Sequence, residues 1–366
     1  MRHLFIIFSL LVSLSVQAQE PVDTIAQEQT GKLGLVRRIV RGFDRLDEDY
    51  IEPNHYVFTV MLQATRTYER YSLSSVGDDA QSVSFSPDGR LRVGPYLGWK
   101  WIFLGYTFEL NNVSLENLKQ EIDLSIYSSQ IGVDLFYRRT GNDYKLRSAY
   151  LGKDVRSELL DNVPFDGLQA GITGFNIYYI FNHGKFSYPA AFAQSTQQKI
   201  SCGSWMAGIG YSHNTIDLDS EYLQKLVYEN LGKQTVRLDS GLMFNHVKYD
   251  DFSISVGYGY NWVFARNCLL GVSLQGALGY NKSVGDVFVD ERKGFSFGNF
   301  NVDGIARLGL VYNNGKWYAG SSAVFHTYNY RKSRFSANNT FGSLNFYVGL
   351  NFGLKKKYKK QNNEDN

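Results

Sequence analysis

The chain has 366 residues, enough for one large barrel or two ordinary domains. Its formal net charge of +3 gives no bulk electrostatic argument for a nucleic-acid partner, so none is expected. With 26 Tyr, 25 Phe and 35 Gly against only 6 Pro, the composition favours pleated, half-buried surfaces over helices and predicts an all-β chain.

Residues 1–18 have the pattern of a secretory signal peptide. Arg2 gives a positive start, an apolar run extends from Leu4 to Val16, and Val16-Gln17-Ala18 is a cleavage site of the small-residue type. The run is too short to span a bilayer comfortably, and no later run approaches the ~20 apolar residues of a spanning helix. The mature chain is therefore predicted to be exported, either as a soluble β-protein or as a membrane barrel.

Residues 19–53 are predicted to form a periplasmic N-terminal segment. Within it, residues 32–46 carry apolar side chains at near-helical spacing and basic side chains around much of the remaining surface. This pattern predicts a short basic amphipathic helix. Three interpretations of the helix stay open: a plug in a barrel lumen, a helix lying on an anionic membrane face, or a closure of the periplasmic end.

Between residues 54 and 354 the apolar pattern has a period of two, which is the spacing of side chains on one face of a strand. The clearest run is 252–265, where large apolar side chains alternate with Ser, Gly and Asn, and the runs 300–312 and 344–352 repeat it. Such runs match the ~9–11 residues of a tilted membrane strand better than the ~5–6 residues of an average soluble one. Apolar faces opposite small polar faces predict a barrel that faces lipid on its outside.

The pattern gives an odd number of candidate strands, whereas bacterial single-chain barrels normally have an even number. The interrupted run 236–247 is interpreted as spurious, and a change of phase near Ser128 predicts a bulge or tight turn inside 121–138. We therefore predict a closed antiparallel transmembrane β-barrel of about 12 strands (range roughly 10–14), after the short periplasmic helix. The candidate runs are 55–68, 80–86, 90–99, 101–110, 121–138, 168–182, 200–212, 236–247, 252–265, 268–281, 300–313, 316–329 and 341–352.

Two segments resemble a known family. Residues 41–51 (RGFDRLDEDYI) lead into the first strand, and residues 86–90 (SPDGR) lead into GPYLGW at 94–99 and FLGYTF at 103–108. Together with the signal peptide and the strand pattern, they resemble the Bacteroidetes family catalogued as domain of unknown function 4421, over roughly residues 35–354. The resemblance implies an outer-membrane barrel without an established activity, and it supplies no catalytic residues.

The end of the chain resembles outer-membrane proteins in general, whose final strand ends in an aromatic residue that the assembly machinery reads. Phe352 is in the position to serve in this way, so the barrel assembly machinery and outer-membrane lipid are the expected partners. Residues 355–366 form a polar tail rich in lysine after Phe352. The tail departs from a strictly terminal signal and is interpreted as a periplasmic extension.

No catalytic site is expected, although Ser212-His213-Asn214 contains the residue types of a lipid hydrolase. On a strand, Ser212 and Asn214 point to one side and His213 to the other. A triad needs its nucleophile and base within hydrogen-bond reach, so this spacing argues against one.

No metal or cofactor is expected either. Asp217, Asp219 and Glu221 alternate in a predicted loop that lacks the glycine of an EF-hand, which favours a solvated loop over a Ca²⁺ site. Cys202 and Cys268 have no metal-ligand spacing. Isolated thiols inside strands are the preferred interpretation, and a periplasmic disulfide stays open.

Charged residues on the polar strand faces are candidate lumen charges. In an open lumen they would tune selectivity, whereas in a filled barrel they would form a closed, self-paired polar core. The preferred function is a barrel that passes small solutes; a plugged structural or partner-binding barrel and a lipid-acting barrel enzyme are the alternatives. The candidate lumen charges are Glu109, Asp123, Asp134, Arg138, Asp303 and Arg307.

Overall fold

The computed structural model describes residues 46–77, 79–99, 102–105, 108–109, 120–139, 143–153, 155, 157–231, 236–283, 300–331 and 334–359. The predicted signal peptide lies outside these residues, and so does the predicted helix 32–46 apart from Leu46. From Asp47 onward the described residues belong to one compact unit. This unit is built almost entirely from antiparallel strands, as the composition predicted.

The strands, in chain order, are β1 (Ile51–Pro53), β2 (Tyr56–Ser75), β3 (Ser82–Pro87), β4 (Leu91–Trp99), β5 (Ile102–Gly105), β6 (Phe108–Glu109), β7 (Gln120–Tyr127), β8 (Ile131–Arg139), β9 (Tyr144–Tyr150), β10 (Val163–Pro164), β11 (Leu168–Ile180), β12 (Thr196–Gln198), β13 (Cys202–Leu218), β14 (His246–Ala265), β15 (Cys268–Ser283), β16 (Phe300–Asn313), β17 (Trp317–Arg331) and β18 (Phe335–Leu354). The helices are a 3₁₀ turn (Ser157–Leu160), α1 (Tyr188–Phe192) and α2 (Ser220–Leu231). None of the described helices is long and apolar enough to cross a membrane.

Sixteen strands form one antiparallel sheet. Its order runs β7-β8-β11-β13-β14-β15-β16-β17-β18-β2, and β2 then has two different partners on its other side. Residues 58–66 pair with β4, which pairs with β5 and β6, whereas residues 71–74 pair with β3, which leads to β9 and β10. Among the described residues no pairing joins β5 or β6 to β7, so the predicted closure of the barrel is not seen in the pairing.

The two faces of the sheet differ along whole strands. On β14 every second side chain from Phe252 to Phe264 is apolar and 43–73 % exposed, whereas Ser253 and Asn261 between them are buried. The same alternation holds on β16 and β18. We call the exposed apolar side chains of β2, β4 and β13 to β18 the outer belt. On β14 the belt extends over the twelve residue steps from Phe252 to Phe264. At ~3.3 Å per residue, and with the ~45° strand tilt of membrane barrels, the belt is about 28 Å high, close to the ~25 Å apolar band of such barrels.

The interpretation of two ambiguous runs is confirmed. Residues 236–245 form no strand, and β14 begins at His246. The run 121–138 is two strands, β7 and β8, joined by a tight turn in which the Ser128 hydroxyl accepts a hydrogen bond from the Ile131 amide at 2.9 Å.

The long polar connections hold more structure than the sequence predicted. The connection 139–167 contains β9, and 213–235 contains the end of β13 and all of α2. In β9 only Tyr144 and Leu146 are buried, so its apolar signal is short. Helix α2 has a modest apolar face, and its burial depends on distant strands rather than on its own pattern.

Candidate functional site

The inner face of the sheet is the candidate site, because the buried polar residues collect there. The sheet is strongly curled: Asp134 on β8 reaches Arg307 on β16, five strands away, and Phe136 on β8 lies 5.9 Å from Phe341 on β18, ring centroid to ring centroid. We call the end where β2 starts and β18 stops the terminal end, and the opposite one the loop end.

At the loop end the inner side is closed by an apolar cap. Asp219 caps α2, since its Oδ1 accepts a hydrogen bond from the Tyr222 amide at 2.8 Å. One helical face then buries Leu223 and Val227 completely, and Tyr222 stacks on Phe165 with centroids 5.2 Å apart. The cap consists of Tyr71, Leu73, Val83, Phe85, Tyr144, Leu146, Leu151, Leu160, Phe165, Leu168, Ala170, Ile216, Leu218, Leu223, Leu226, Val227, Leu231, Leu238, Leu242, Phe244, Val247, Tyr249, Tyr330, Phe335 and Ala337.

At the terminal end, residues 181–201 between β11 and β13 form an insert that folds onto the inner face. Ser187 starts α1, because its hydroxyl accepts a hydrogen bond from the Ala190 amide at 3.2 Å and Pro189 suits the first turn. Gln198 then ties the insert together. Its amide donates to the Lys185 carbonyl at 2.6 Å, and its carbonyl oxygen accepts from the Ser187 amide at 2.8 Å.

The insert directly contacts the inner face of the sheet, called the inner wall below, at β15 and β16. Ala191 lies against two wall glycines, and a Cβ at Gly309 would stand only 2.7 Å from the Ala191 carbonyl oxygen. A Cβ at Gly271 would meet the methyl group of Ala191, so glycine is needed at both positions for the helix to approach this closely. The Tyr188 hydroxyl donates to the Ser273 hydroxyl at 3.0 Å, and both residues are buried.

A buried ion pair lies between the insert and the middle of the interior. Arg307 bonds to Asp134, and the Ser125 hydroxyl donates to the other carboxylate oxygen of Asp134 at 2.7 Å. The guanidinium lies over the rings of Tyr178 and Tyr188, 5.4 and 6.0 Å from their centroids. The Arg307 side chain is fully buried, and its contacts join the inner face of β16 to Tyr188 of the insert.

An aromatic layer fills the space between the ion pair and the apolar cap. The Arg138 guanidinium lies 4.3 Å from the centroid of Phe341. His326 stacks on Phe341 at 5.1 Å, and Tyr328 and Phe136 lie within 6 Å of the same ring. These side chains come from β8, β17 and β18, on different sides of the curled sheet.

Four of the six candidate lumen charges are described, and each is at most 5 % exposed on the inner face. The structure brings only two of them together in an ion pair. Asp303 instead accepts a hydrogen bond from the Asn329 amide at 2.8 Å. The four are Asp134, Arg138, Asp303 and Arg307, and the side chains of Glu109 and Asp123 lie outside the described part of the chain.

The residues weighed as a hydrolase site do not form one. All three lie in β13, where Asn214 donates to Ser212 at 2.8 Å on the inner face. His213 points outward and bonds to Asp250 at 2.6 Å. The prediction of a loop that holds Asp217, Asp219 and Glu221 is wrong for two of the three. Asp217 belongs to β13 and pairs with His246, Glu221 lies in the first turn of α2, and only Asp219 stands between the two elements.

The structure also bears on the two cysteines and on metal binding. Cys202 and Cys268 are free thiols, so the preferred interpretation is confirmed over the disulfide. Within the described residues no group of three His, Cys, Asp or Glu side chains is arranged to hold a metal ion. The residues that sequence reasoning missed are those of the insert, although Ser-Tyr-Pro at 187–189 is a helix-start signal that would have located α1.

Solved structures similar to this chain include the outer-membrane protease OmpT of Escherichia coli, at 9% identity and a TM-score of 0.34, covering 82% of this chain and 98% of that one. The translocator domain of the autotransporter NalP of Neisseria meningitidis has 11% identity and a TM-score of 0.27, covering 87% and 95%. The toluene transporter TodX of Pseudomonas putida has 9% identity and a TM-score of 0.25, covering 80% and 89%. Similarity this distant carries no argument about activity.

No curated protein matches the chain. The family model described as Domain of unknown function (DUF4421) matches residues 45–352. This match confirms the family that the segments at 41–51 and 86–108 resemble. The chain belongs to this family.

Proposed function

We propose that the protein is an outer-membrane β-barrel with a sealed interior, which has a structural or partner-binding role and does not conduct solutes. The observation that carries the proposal is the filled inner side. The insert closes the terminal end, the ion pair and the aromatic layer occupy the middle, and the apolar cap closes the loop end. A solute would have to displace buried side chains at every level.

The outer belt supports the membrane location. Large apolar side chains from consecutive strands stand exposed next to one another, which soluble monomers avoid because such patches associate in water. Aromatic side chains stand at the terminal end of the belt, as in the interfacial girdles of membrane barrels. They are Phe58, Trp99, Trp205, Trp262, Phe264, Tyr312, Trp317 and Phe352.

The curl of the sheet supports closure. Because β8 reaches both β16 and β18 across the interior, the two free edges turn toward each other. Closure between the β5–β6 edge and β7 would give about 12 strands around the barrel, within the range known for such proteins. The barrel assembly machinery would then act on β18, whose Phe352 is exposed on the belt and stacks on Phe58 with centroids 5.6 Å apart.

Planar-bilayer recording of the refolded mature chain tests the sealed interior. We expect no conductance above the baseline, with folding checked by heat-modifiable gel migration and insertion by co-flotation with vesicles. Open-channel steps from the wild-type protein would overturn the proposal and would favour passage of small solutes.

A thiol probe tests the seal of the terminal end. With Cys202 and Cys268 replaced by serine, we expect Ser273→Cys to stay unreactive toward a water-soluble maleimide beneath Tyr188. Adding Gly271→Leu should raise its reactivity about tenfold, because overpacking of this kind costs about 1–3 kcal/mol and displaces the insert.

The matched control is Gly276→Leu on the same strand, since a side chain at Gly276 meets no atom within 4 Å. This variant should leave the probe protected. Rapid labelling in the absence of any substitution at Gly271 would show that the terminal end is open.

A further inference from the structure

The wall has a cleft where β2 changes partner. Residues 67–70 pair with β18 on one side, but among the described residues no strand pairs with them on the other, between the segments held by β4 and β3. A cleft of about 530 Å³ opens at this point, lined by residues 66–70 of β2 and by the connection 86–90.

An ion-pair network fixes the rim of the cleft. The guanidinium of Arg147 donates to Asp88 at 2.7 Å and to the Pro87 carbonyl at 2.9 Å, and Lys145 bonds to the other oxygen of Asp88 at 2.6 Å. These hydrogen bonds hold the pKa of the Asp88 carboxyl below its usual range. The connection between β3 and β4 is therefore held firmly against β9.

Two arginines in the cleft are differently placed. Arg66 and Arg70 lie on the outer face of β2, and neither forms an ion pair with any residue that the structure describes. Arg70 donates to the neutral hydroxyl of Ser148 at 3.2 Å, and Arg66 is exposed beside Gly89. Five arginines line the cleft together with the carboxylates of Glu69 and Asp88, and Arg90 pairs with a third carboxylate, Asp143, at 2.6 Å. Positive charges therefore outnumber negative ones. The arginines are Arg66, Arg70, Arg90, Arg92 and Arg147.

The cleft lies at the margin of the outer belt on the side of the loop end. Its apolar lining comes from the belt itself: Tyr68, Phe325 and Leu344 are 44, 41 and 38 % exposed. Closer to the terminal end of β2, Leu62 is 53 % exposed in the middle of the belt. In a membrane this margin is the level at which acyl chains end and charged headgroups begin.

We propose that this cleft binds the phosphorylated headgroup of an outer-leaflet lipid, with Arg66 and Arg70 as the phosphate-binding groups. The inference rests on the proposed membrane location. Guanidinium groups bind phosphate oxygens through paired N–H bonds, and the apolar lining suits the adjoining acyl chains. The two arginines are four residues apart, about 13 Å along the strand, which suits a saccharolipid with two phosphates better than a single phosphate ion.

Native mass spectrometry of the refolded mature chain tests this site, with diphosphorylated lipid A and its dephosphorylated form as probes. We expect the wild type to retain the diphosphorylated lipid preferentially. Arg66→Gln/Arg70→Gln should lower its retention by about tenfold or more, since each lost bond to a charged group weakens binding substantially. The single variant Arg66→Gln changes an exposed residue and should show part of the loss in lipid retention. It tests the site even if the double variant does not refold.

The matched control is Arg266→Gln, an exposed arginine in the turn at the terminal end, which should bind the lipid like the wild type. Equal retention by wild type and double variant would overturn the inference. So would equal retention of the dephosphorylated lipid, or displacement of the lipid by inorganic phosphate alone. Folding and vesicle insertion are measured on every variant, so failure of the membrane proposal would appear separately as a wild type that does not insert.

Discussion

The two ends of the interior are packed by different physical means. The loop end is filled by apolar side chains from β2, β3, β9, β13 and α2, in which Leu223 and Phe85 are fully buried. The terminal end is occupied by a short insert that depends on hydrogen bonds, on two glycines and on the ring contacts of Arg307. Apolar packing is non-directional and tolerant, whereas the insert requires particular atoms at particular distances. The loop end should therefore weaken gradually under substitution, and the terminal end abruptly.

The largest effect is expected from Arg307→Met. It leaves Asp134 buried without its cation, and breaking such a pair costs about 3–5 kcal/mol of the free energy of unfolding. Urea unfolding in vesicles measures this loss, and proteolysis should begin within residues 181–201 because the insert also loses its ring contacts. Arg307→Met/Asp134→Asn should recover much of the stability. A double variant as unstable as the single one would show that the pair itself is not the cause.

A somewhat smaller effect is expected from Leu223→Ala in the apolar cap. The side chain is fully buried, and such truncations cost about 2–5 kcal/mol. Hydrogen exchange should show faster opening of α2, while the amides of β14 to β16 and the insert stay protected. Tyr228→Ala, at a 53 % exposed position on the same helix, should change little. Faster exchange throughout the sheet would mean that the two ends are not independent.

The smallest effect expected is the pH dependence of stability that comes from Asp88 at the rim of the cleft. The pKa of Asp88 is lowered by its hydrogen bonds to Lys145 and Arg147, so these contribute stability above the ordinary aspartate pKa of about 3.9 and lose it as the pH falls through the lowered value. Since Asp88 is mostly exposed, the contribution is at most about 1 kcal/mol.

A carboxyl-carbon NMR titration of Asp88 measures the shift, and Arg147→Gln should move the pKa back toward its ordinary value. The apolar cap, which contains no charged residue, should keep its exchange protection over the same acid range. Loss of that protection together with the titration of Asp88 would mean that the ion pairs, and not apolar packing, hold the loop end closed.

Much of the sheet was predictable because alternation in strands is a local property. Phe252 to Phe264 reveal their common face within a single run, and the change of phase at Ser128 locates a turn. Elements with weak local signals were missed. β9 buries few side chains, and α2 is recognisable mainly by its capping residue Asp219 together with the distant strands on which it packs.

The candidate site was only partly predictable for the same reason. The two-residue alternation along each strand puts four charged residues on polar strand faces: Asp134, Arg138, Asp303 and Arg307. The same alternation is found whether the lumen is open or filled, so it cannot distinguish the two. That distinction rests on residues 181–201, whose short helix occupies space between strands that are far apart in the chain.

The sequence by itself determined the all-β class, the apolar outer face and the family. The alternation of apolar and polar residues and the family's motifs both lie within short stretches of chain, so they can be recognised without the tertiary structure. Only the tertiary structure decided that Arg307 meets Asp134 across 173 residues and that the insert fills the terminal end. Contacts across a curled sheet join residues that no local pattern links, and it is these contacts that favour a sealed interior over an open one.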